Sequence, residues 1–509
     1  MPPAPPTRQQ ISQTSSVPAP VGGLNARDSI AAMPPTDAIL MDNWFPQTNN
    51  VTVRNGSVAT ATGLPGWVET LMWYSAGSTG KLFAASGGNI YDVTNSGAVG
   101  APVLTGMTNN KWQYTNISTG GGTFIFAANG SDPCQVYNGT SWSAPTITGI
   151  SSSSVFNVTL FKSRIWLILN NSLQVYYLPT SSIAGAASLF DLSPLFKLGG
   201  NIVGCVQCTI DNVGGINDFL GFVTSNGEIA MYQGSDPTST TTWGLVGMFR
   251  TGRPIGNRFQ AQVGADVIMV TANGLEALSK SFLTDRVQQQ DTLSYKITNM
   301  ITADVSSYAN NFGWQPVLYP MGNKIMVNVP SITENTSYQY VMNTITGSWC
   351  RFTGWNATCF ELFNDNLYYG GYKTVYQCDV GNSDGSSAIQ ADVQQAFSYF
   401  GAEGRQKIFT MCRPIFSANG QIKPTISIDT DFSQNVPTGT PTFSSAGGSA
   451  WNVSPWNTSP WAQSSAVLKN WQTISGIGFS ASLRMRIQTS GIQTQWQATD
   501  FVYQYGGIL

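Results

Sequence analysis

Short apolar runs recur along this chain, each followed by a Gly/Asn/Ser turn and a second short run that usually carries an aromatic. The first copy is Leu82-Phe83-Ala84-Ala85 with Asn89-Ile90-Tyr91, and the second is Phe124-Ile125-Phe126 with Gln135-Val136-Tyr137. Ile165 to Leu169 precedes Leu173-Gln174-Val175-Tyr176, and Phe219 to Val223 precedes Ile229-Ala230-Met231-Tyr232. Val267 to Val270 with Leu275 to Leu278, Ile325 to Val329 with Tyr338-Gln339-Tyr340, and Asn366 to Tyr369 with Thr374-Val375-Tyr376 complete seven copies. Repeats of a few tens of residues built from short strands predict a radial or stacked β architecture, because one hairpin cannot bury its own apolar faces. The run Ile165-Trp166-Leu167-Ile168-Leu169 does not alternate apolar with polar. An unbroken run predicts a strand buried on both sides, as in a propeller blade between two neighbours.

The array extends from about Leu71 to Val380. Within it, Leu293, Ile297, Met300, Ile301 and Val305 fall near helical spacing and predict a short amphipathic helix at about 291–306. Beyond Ser383 the pattern changes. Ile477, Phe479, Ala481, Leu483, Met485 and Ile487 alternate with Gly478, Ser480, Ser482, Arg484, Arg486 and Gln488, which predicts one half-buried strand. Further strands are expected at 421–432 and 496–505. At the other end, Met1 to about Pro20 is rich in Pro, Ser, Thr and Gln, and reads either as a disordered tail or as an arm lying on a neighbouring subunit. The expectation is an all-β chain in three parts. Residues 1–45 form an extended arm and docking segment, 46–382 a β-propeller of about seven blades (six or eight being compatible), and 383–509 a second, β-sandwich-like domain.

A chain of 509 residues exceeds one ordinary core, in line with several domains. Apolar residues at 42% exclude wholesale disorder, whereas charged residues at 10% fall far below the roughly 25% of soluble domains. Such a surface suits a subunit covered by partners. With a net charge of −2 and no basic stretch, the chain lacks the clustered cations that strong phosphate binding requires. DNA passing a near-neutral wall remains compatible. No run reaches the roughly 18–20 apolar residues of a membrane span, and the Pro-rich start shows no secretory signal. Seven scattered cysteines read as reduced thiols rather than a disulfide framework.

Histidine is absent, which excludes Ser-His-Asp and Cys-His catalysis and His-based metal sites. Carboxylates are sparse and sit mainly in turns such as Asp211-Asn212 and Asp384-Gly385. Cys205 and Cys208 form a single C-x-x-C; structural zinc needs a second pair, so two packed thiols are expected. No Walker-type phosphate loop or sialidase Ser-x-Asp-x-Gly-x-x-Trp box occurs, and no cofactor or metal is expected. The segment Trp451-Asn-Val-Ser-Pro-Trp456-Asn-Thr-Ser-Pro-Trp461 repeats a five-residue unit around Pro-stiffened turns. Its tryptophans suit a partner interface, a loop folded onto its own domain, or an aromatic platform for carbohydrate.

Gly22-Gly23-Leu24-Asn25-Ala26-Arg27-Asp28, Met33-Pro34-Pro35-Thr36-Asp37-Ala38 and Asp42-Asn43-Trp44-Phe45-Pro46 together resemble the start of the tail nozzle, or packaged-DNA stabilisation, proteins of short-tailed bacteriophages. The resemblance continues through the repeats, including Val341-Met342-Asn343-Thr344 and Gly347-Ser348-Trp349-Cys350-Arg351-Phe352, a blade hairpin in that family, and the doubled Trp-Pro loop. It implies a virion protein without an active site. Six copies would form a ring below the portal and its adaptor, meet tail needle, fibre or spike proteins, extend the DNA channel and hold the genome until ejection. Assembly would take place in the host cytoplasm. Arg27, Trp44, Trp451, Trp456 and Trp461 are then candidate subunit or partner contacts, and Arg484 and Arg486 candidate channel or interface residues. Two rival functions fit the composition: a glycan-binding adhesin for host recognition, and a histidine-free glycan hydrolase using two carboxylates.

Overall fold

Every one of the seven recurrences is a pair of neighbouring strands in the structure, a computed structural model that describes residues 12–77, 79–212, 215–282, 289–331, 336–445 and 465–506. Ala84 faces Tyr91, Ile125 faces Tyr137, Trp166 faces Tyr177, Leu220 faces Tyr232, Val270 faces Leu275, and Tyr369 faces Tyr376. Lys324–Pro330 and Ser337–Asn343 are likewise neighbours in one sheet. The chain divides into two compact units. One comprises Val58–Tyr340 and Gly354–Cys378, the other Met1–Ser57, Val341–Thr353 and Asp379–Leu509.

The first unit is a β-propeller of seven successive sheets. Their first strands are Ser57–Ala76, Gln113–Thr119, Val155–Phe161, Ile202–Asn212, Gln260–Val263, Gln315–Tyr319 and Cys359–Phe363. From Gln113–Thr119 onward these strands pack in ring order, except that Ile202–Asn212 meets the fifth sheet at Asp266–Thr271. The ring is closed by Ser57–Ala76, which serves two sheets. Its opening half completes the sheet of Cys359–Phe363, Asn366–Gly370 and Tyr372–Cys378, with Thr60 Oγ1 donating to Val375 O at 3.0 Å. Its second half pairs with Thr79–Ser86.

Apolar runs without alternation follow directly from this arrangement. Ile165 and Leu167 enter the core shared with the preceding sheet, while Trp166 and Ile168 enter the core shared with the following one. Leu82 and Ala84 likewise face one neighbour and Phe83 and Ala85 the other. A strand's side chains alternate between its faces, so two buried faces demand apolar residues at every position.

Amide side chains on the first strands lace adjacent sheets together. Asn116 Nδ2 donates to Trp73 O at 3.0 Å and Asn157 Nδ2 to Val203 O at 3.0 Å. Gln207 Nε2 donates to Leu160 O and Gln260 Nε2 to Cys205 O, each at 2.6 Å. Gln315 both donates to Phe360 O and accepts from Phe360 N.

Among the described residues the second unit contains two large sheets and a two-stranded one, Gly420–Lys423 with Thr442–Ser445, and is sandwich-like. In one, Lys407–Ala418 and Thr494–Tyr505 lie side by side, followed by Val51–Val53 and Trp44–Pro46. In the other the order is Trp349–Phe352, Asp37–Asp42, Ile389–Gln395, Ala481–Thr489 and Thr425–Thr430. Ala481, Leu483, Met485 and Ile487 are buried, as their alternation predicts, and Phe45 meets Phe352 edge-on between the sheets at 6.2 Å.

Four expectations are corrected. Residues 13–18 are not an outstretched arm: Gln13–Pro18 pairs with Thr494–Tyr505, Val17 facing Thr499. The docking segment is a central strand, so the second unit draws on both ends of the chain and on 341–353, rather than on 383–509 alone. The alternating strand begins at Ala481, because the backbone amides of Phe479 and Ser480 turn onto the Asp431 carboxylate and leave Ile477 exposed. The helix is Thr298–Tyr308, with Ile301 and Val305 buried. Leu293 lies before it, since Leu293 N donates to Leu275 O and holds that residue beside a strand.

Trp166 is fully buried between two sheets. Trp166→Ala is expected to cost about 3–5 kcal/mol, read as a lowered denaturant midpoint with an unchanged slope.

Candidate functional site

The sandwich-like unit gathers most of the residues singled out from sequence around the strand Asp37–Asp42. Ahead of it, the Asn25 carboxamide oxygen accepts from the amides of Arg27 and Asp28, and its Nδ2 donates to Asp28 and to Asp37 at 2.7 Å. Arg27 forms a bidentate pair with Asp28, at 2.6 and 2.8 Å, and is partly exposed. Gly23, at φ +80°, passes so close to the backbone of Trp349 that a Cβ would lie 2.5 Å from its carbonyl oxygen. Only glycine fits there.

Asp42 is paired in register with Arg351 on one side and Asp392 on the other. Arg351 grips Asp42 through two bonds of 2.7 Å. Arg484 donates to Asp392 at 3.2 and 2.9 Å, and Arg486 approaches the same carboxylate at 3.8 Å. Two adjacent carboxylates would repel one another if bare; each is answered by guanidinium, so the row is held as a ladder. Arg486 is the more exposed of the two arginines, 34% against 14%.

Asn43 joins three stretches of chain. It adopts φ +59°, its Oδ1 accepts from Arg54 Nε and Thr353 N at 2.8 Å, and its Nδ2 donates to Thr353 Oγ1 and Gln390 O. Arg54 is buried and forks onto Asp384 at 2.9 and 2.5 Å while bonding Thr353 O. Sequence reasoning missed Arg54, Arg351 and Asp384 as a set. The available signal was their rarity: single charges in apolar, charge-poor stretches need partners.

Trp44 is fully buried, its ring 5.8 Å from that of Trp496, and therefore belongs to the core rather than to a subunit contact. Trp451, Trp456 and Trp461 lie outside the described residues. Cys205 and Cys208 are free, buried thiols on one strand whose side chains enter different cores, since positions three apart on a strand face opposite ways. They cannot share a metal. Burial pushes the Cys208 thiol up to about 12, leaving it protonated and unreactive.

A second polar constellation lies within the propeller unit. First strands of several sheets surround a cavity of about 210 Å³ whose walls include Tyr114, Asn257, Arg258 and Glu361. Arg258 precedes the fifth sheet yet donates to Glu69 O at 3.0 Å, Thr70 Oγ1 at 2.6 Å and Trp112 O at 3.1 Å on the first two sheets. It spans the ring, and its guanidinium lies 5.1 Å from the Phe312 ring centre. Burial raises Glu361 to about 7, against the pull of the Tyr114 hydroxyl, the Leu362 amide and Arg258. The Tyr114 phenol is itself held well above its ordinary value, by burial first and then by the Glu361 charge.

No family model matches the chain, and no curated protein matches it. Among solved structures, BBS1N in complex with ARL6DN is 9% identical, covering 64% of this chain and 98% of that one at a TM-score of 0.39. YCF48 bound to D1 peptide is 10% identical, covering 69% and 99% at 0.34. YCF48 from Cyanidioschyzon merolae is 12% identical, covering 62% and 97% at 0.36. These similarities are too low to bear on function, and the propeller assignment rests on the strand pairing itself.

Replacing Asn43 by Leu leaves Arg54 Nε and the Thr353 amide unpaired at a left-handed position, and is expected to cost about 4 kcal/mol in urea unfolding. Asn43→Asp keeps the acceptor and tolerates the backbone, and should cost about half of that. Glu361 gives a pH signature. With its folded value near 7 and an ordinary value of 4.5, the folded state holds the extra proton between them, so stability falls as pH rises from about 4.5 to 7. Glu361→Gln should flatten that slope and gain up to about 3 kcal/mol over wild type at pH 8, measured by denaturation across pH.

Proposed function

We propose that this chain is a structural virion protein, the tail nozzle subunit of a short-tailed bacteriophage. Six copies form a ring that prolongs the DNA channel below the portal and adaptor and retains packaged DNA until ejection. One observation carries the reading. Two of the stretches that carry the resemblance, 22–46 and 341–352, stand some three hundred residues apart, yet are bound into one sheet by Asp42–Arg351, by Asn43 N to Arg351 O, and by Ser348 Oγ to Val21 O at 2.9 Å. That these stretches meet in one sheet is what supports reading them together. The low charge agrees: a ring subunit needs two different complementary patches and little exposed charge, and a near-neutral wall lets a polyanion slide without capture. On this reading the chain does mechanical work rather than catalysis. Its partners are sister copies, the adaptor, needle, fibre or spike proteins, and DNA of any sequence.

Negative-stain microscopy of the purified chain is expected to show closed six-fold rings, and antibody labelling should place it on the virion tail. A monomer absent from virions would overturn the assignment.

A further inference from the structure

We propose that the sandwich-like unit carries a binding groove for an acidic oligosaccharide, organised by the exposed Trp471 ring and the Lys423 ammonium. The groove, about 530 Å³, is of ligand-pocket size and lies among Lys407–Ala418, Gly420–Lys423, Thr442–Ser445 and Ala466–Leu468. Its apolar wall is rigid, with Pro414 and Pro424 beside Phe416 and Phe443. Trp471 is 40% exposed, and the Arg413 guanidinium lies 4.6 Å from its ring centre. Arg413 is itself fixed by Asp500 at 3.0 and 2.6 Å, so the indole is held in place before any ligand arrives.

Around that platform stand Gln421, Asn470 and Gln472, whose carboxamides have no hydrogen-bond partner among the described residues. An apolar ring flanked by carboxamides matches a sugar, which offers C–H groups on one face and hydroxyls at its edge. The sign of charge selects the sugar. Lys423 is the one ionised side chain among the described lining residues, exposed and without a carboxylate partner among the described residues, so a uronic or sialic acid carboxylate would pair with it. No acidic side chain lines the groove among those residues, which leaves it without the carboxylate pair that hydrolysis requires; the site binds and releases. This inference stands apart from the nozzle reading, which could fail without it.

The test is titration calorimetry on the full chain with hexamers of galacturonate, hyaluronan and α2,8-linked sialic acid, against maltohexaose. At least one acidic hexamer should bind with Kd below about 1 mM, about tenfold or more tighter than maltohexaose. Trp471→Ala should abolish binding, with circular dichroism checking the fold. Lys423→Gln, at an exposed position, should weaken binding about tenfold and remove its salt dependence. Absence of binding to all three acidic hexamers overturns the proposal, as does equal affinity for maltohexaose or an unchanged Lys423→Gln variant. Binding seen only after residues 446–464 are replaced by a Gly/Ser linker would make the chain itself the occupant and overturn it equally.

Discussion

Burial of both faces of each propeller sheet is the constraint on which that unit depends. Trp166 and Ile168 on one side of a strand and Ile165 and Leu167 on the other find shelter only if a sheet stands on each side. A terminal sheet in an open row would expose one such face, so the row has to close. Ser57–Ala76 meets that demand by serving the first and last sheets at once. Closure therefore comes from pairing between residues about three hundred positions apart, formed only after the intervening chain is in place. Long-range pairing of this kind makes for slow folding.

Low charge and ring closure are linked. Where sheets converge, backbone carbonyls of neighbouring first strands need partners, and ions would have to be stripped of water to supply them. Asn116, Asn157, Gln207, Gln260 and Gln315 supply them as neutral amides, each bond contributing about 1 kcal/mol without that desolvation cost. Arg258 is the exception, reaching across the ring to two carbonyls and a hydroxyl, with the Phe312 ring beside its charge. In the other unit, Asp42–Arg351, Asp392–Arg484 and Asp384–Arg54 are bidentate pairs, the geometry in which charge is held most firmly.

The propeller was legible because its signal is local. A short hairpin buried on both faces shows unbroken apolar runs and a turn, and every one of the seven runs is a strand pair. What escaped was non-local. Nothing in Gln13–Pro18 announces a partner near residue 500; a polar strand that pairs along an edge carries no apolar period, and Pro-rich flanks read as an arm. Trp44 was misplaced for a related reason. Tryptophan is common both at interfaces and in cores, and only Trp496, some 450 residues on, decides between them. Arg484 and Arg486 were correctly set on the polar face of their strand, but Asp392, which gathers them, comes from a strand that sequence order does not bring alongside. The groove at Trp471 gave no signal, since Gln421, Asn470 and Lys423 are ordinary surface residues until the fold assembles them.

Several residues that carry the resemblance are spent on the fold. Asp37, Asn43 and Trp44 are buried, Asn25 is spent on neighbouring carboxylates and amides, and Gly23 is required by the Trp349 backbone. Each specifies how Asp37–Asp42 is set beside Trp349–Phe352. The resemblance consequently speaks to architecture. The proposed groove is drawn from stretches outside it: Lys423, Asn470 and Trp471 lie in short strands and connections that the frame supports without dictating, where a surface can change without disturbing the sheet it stands on.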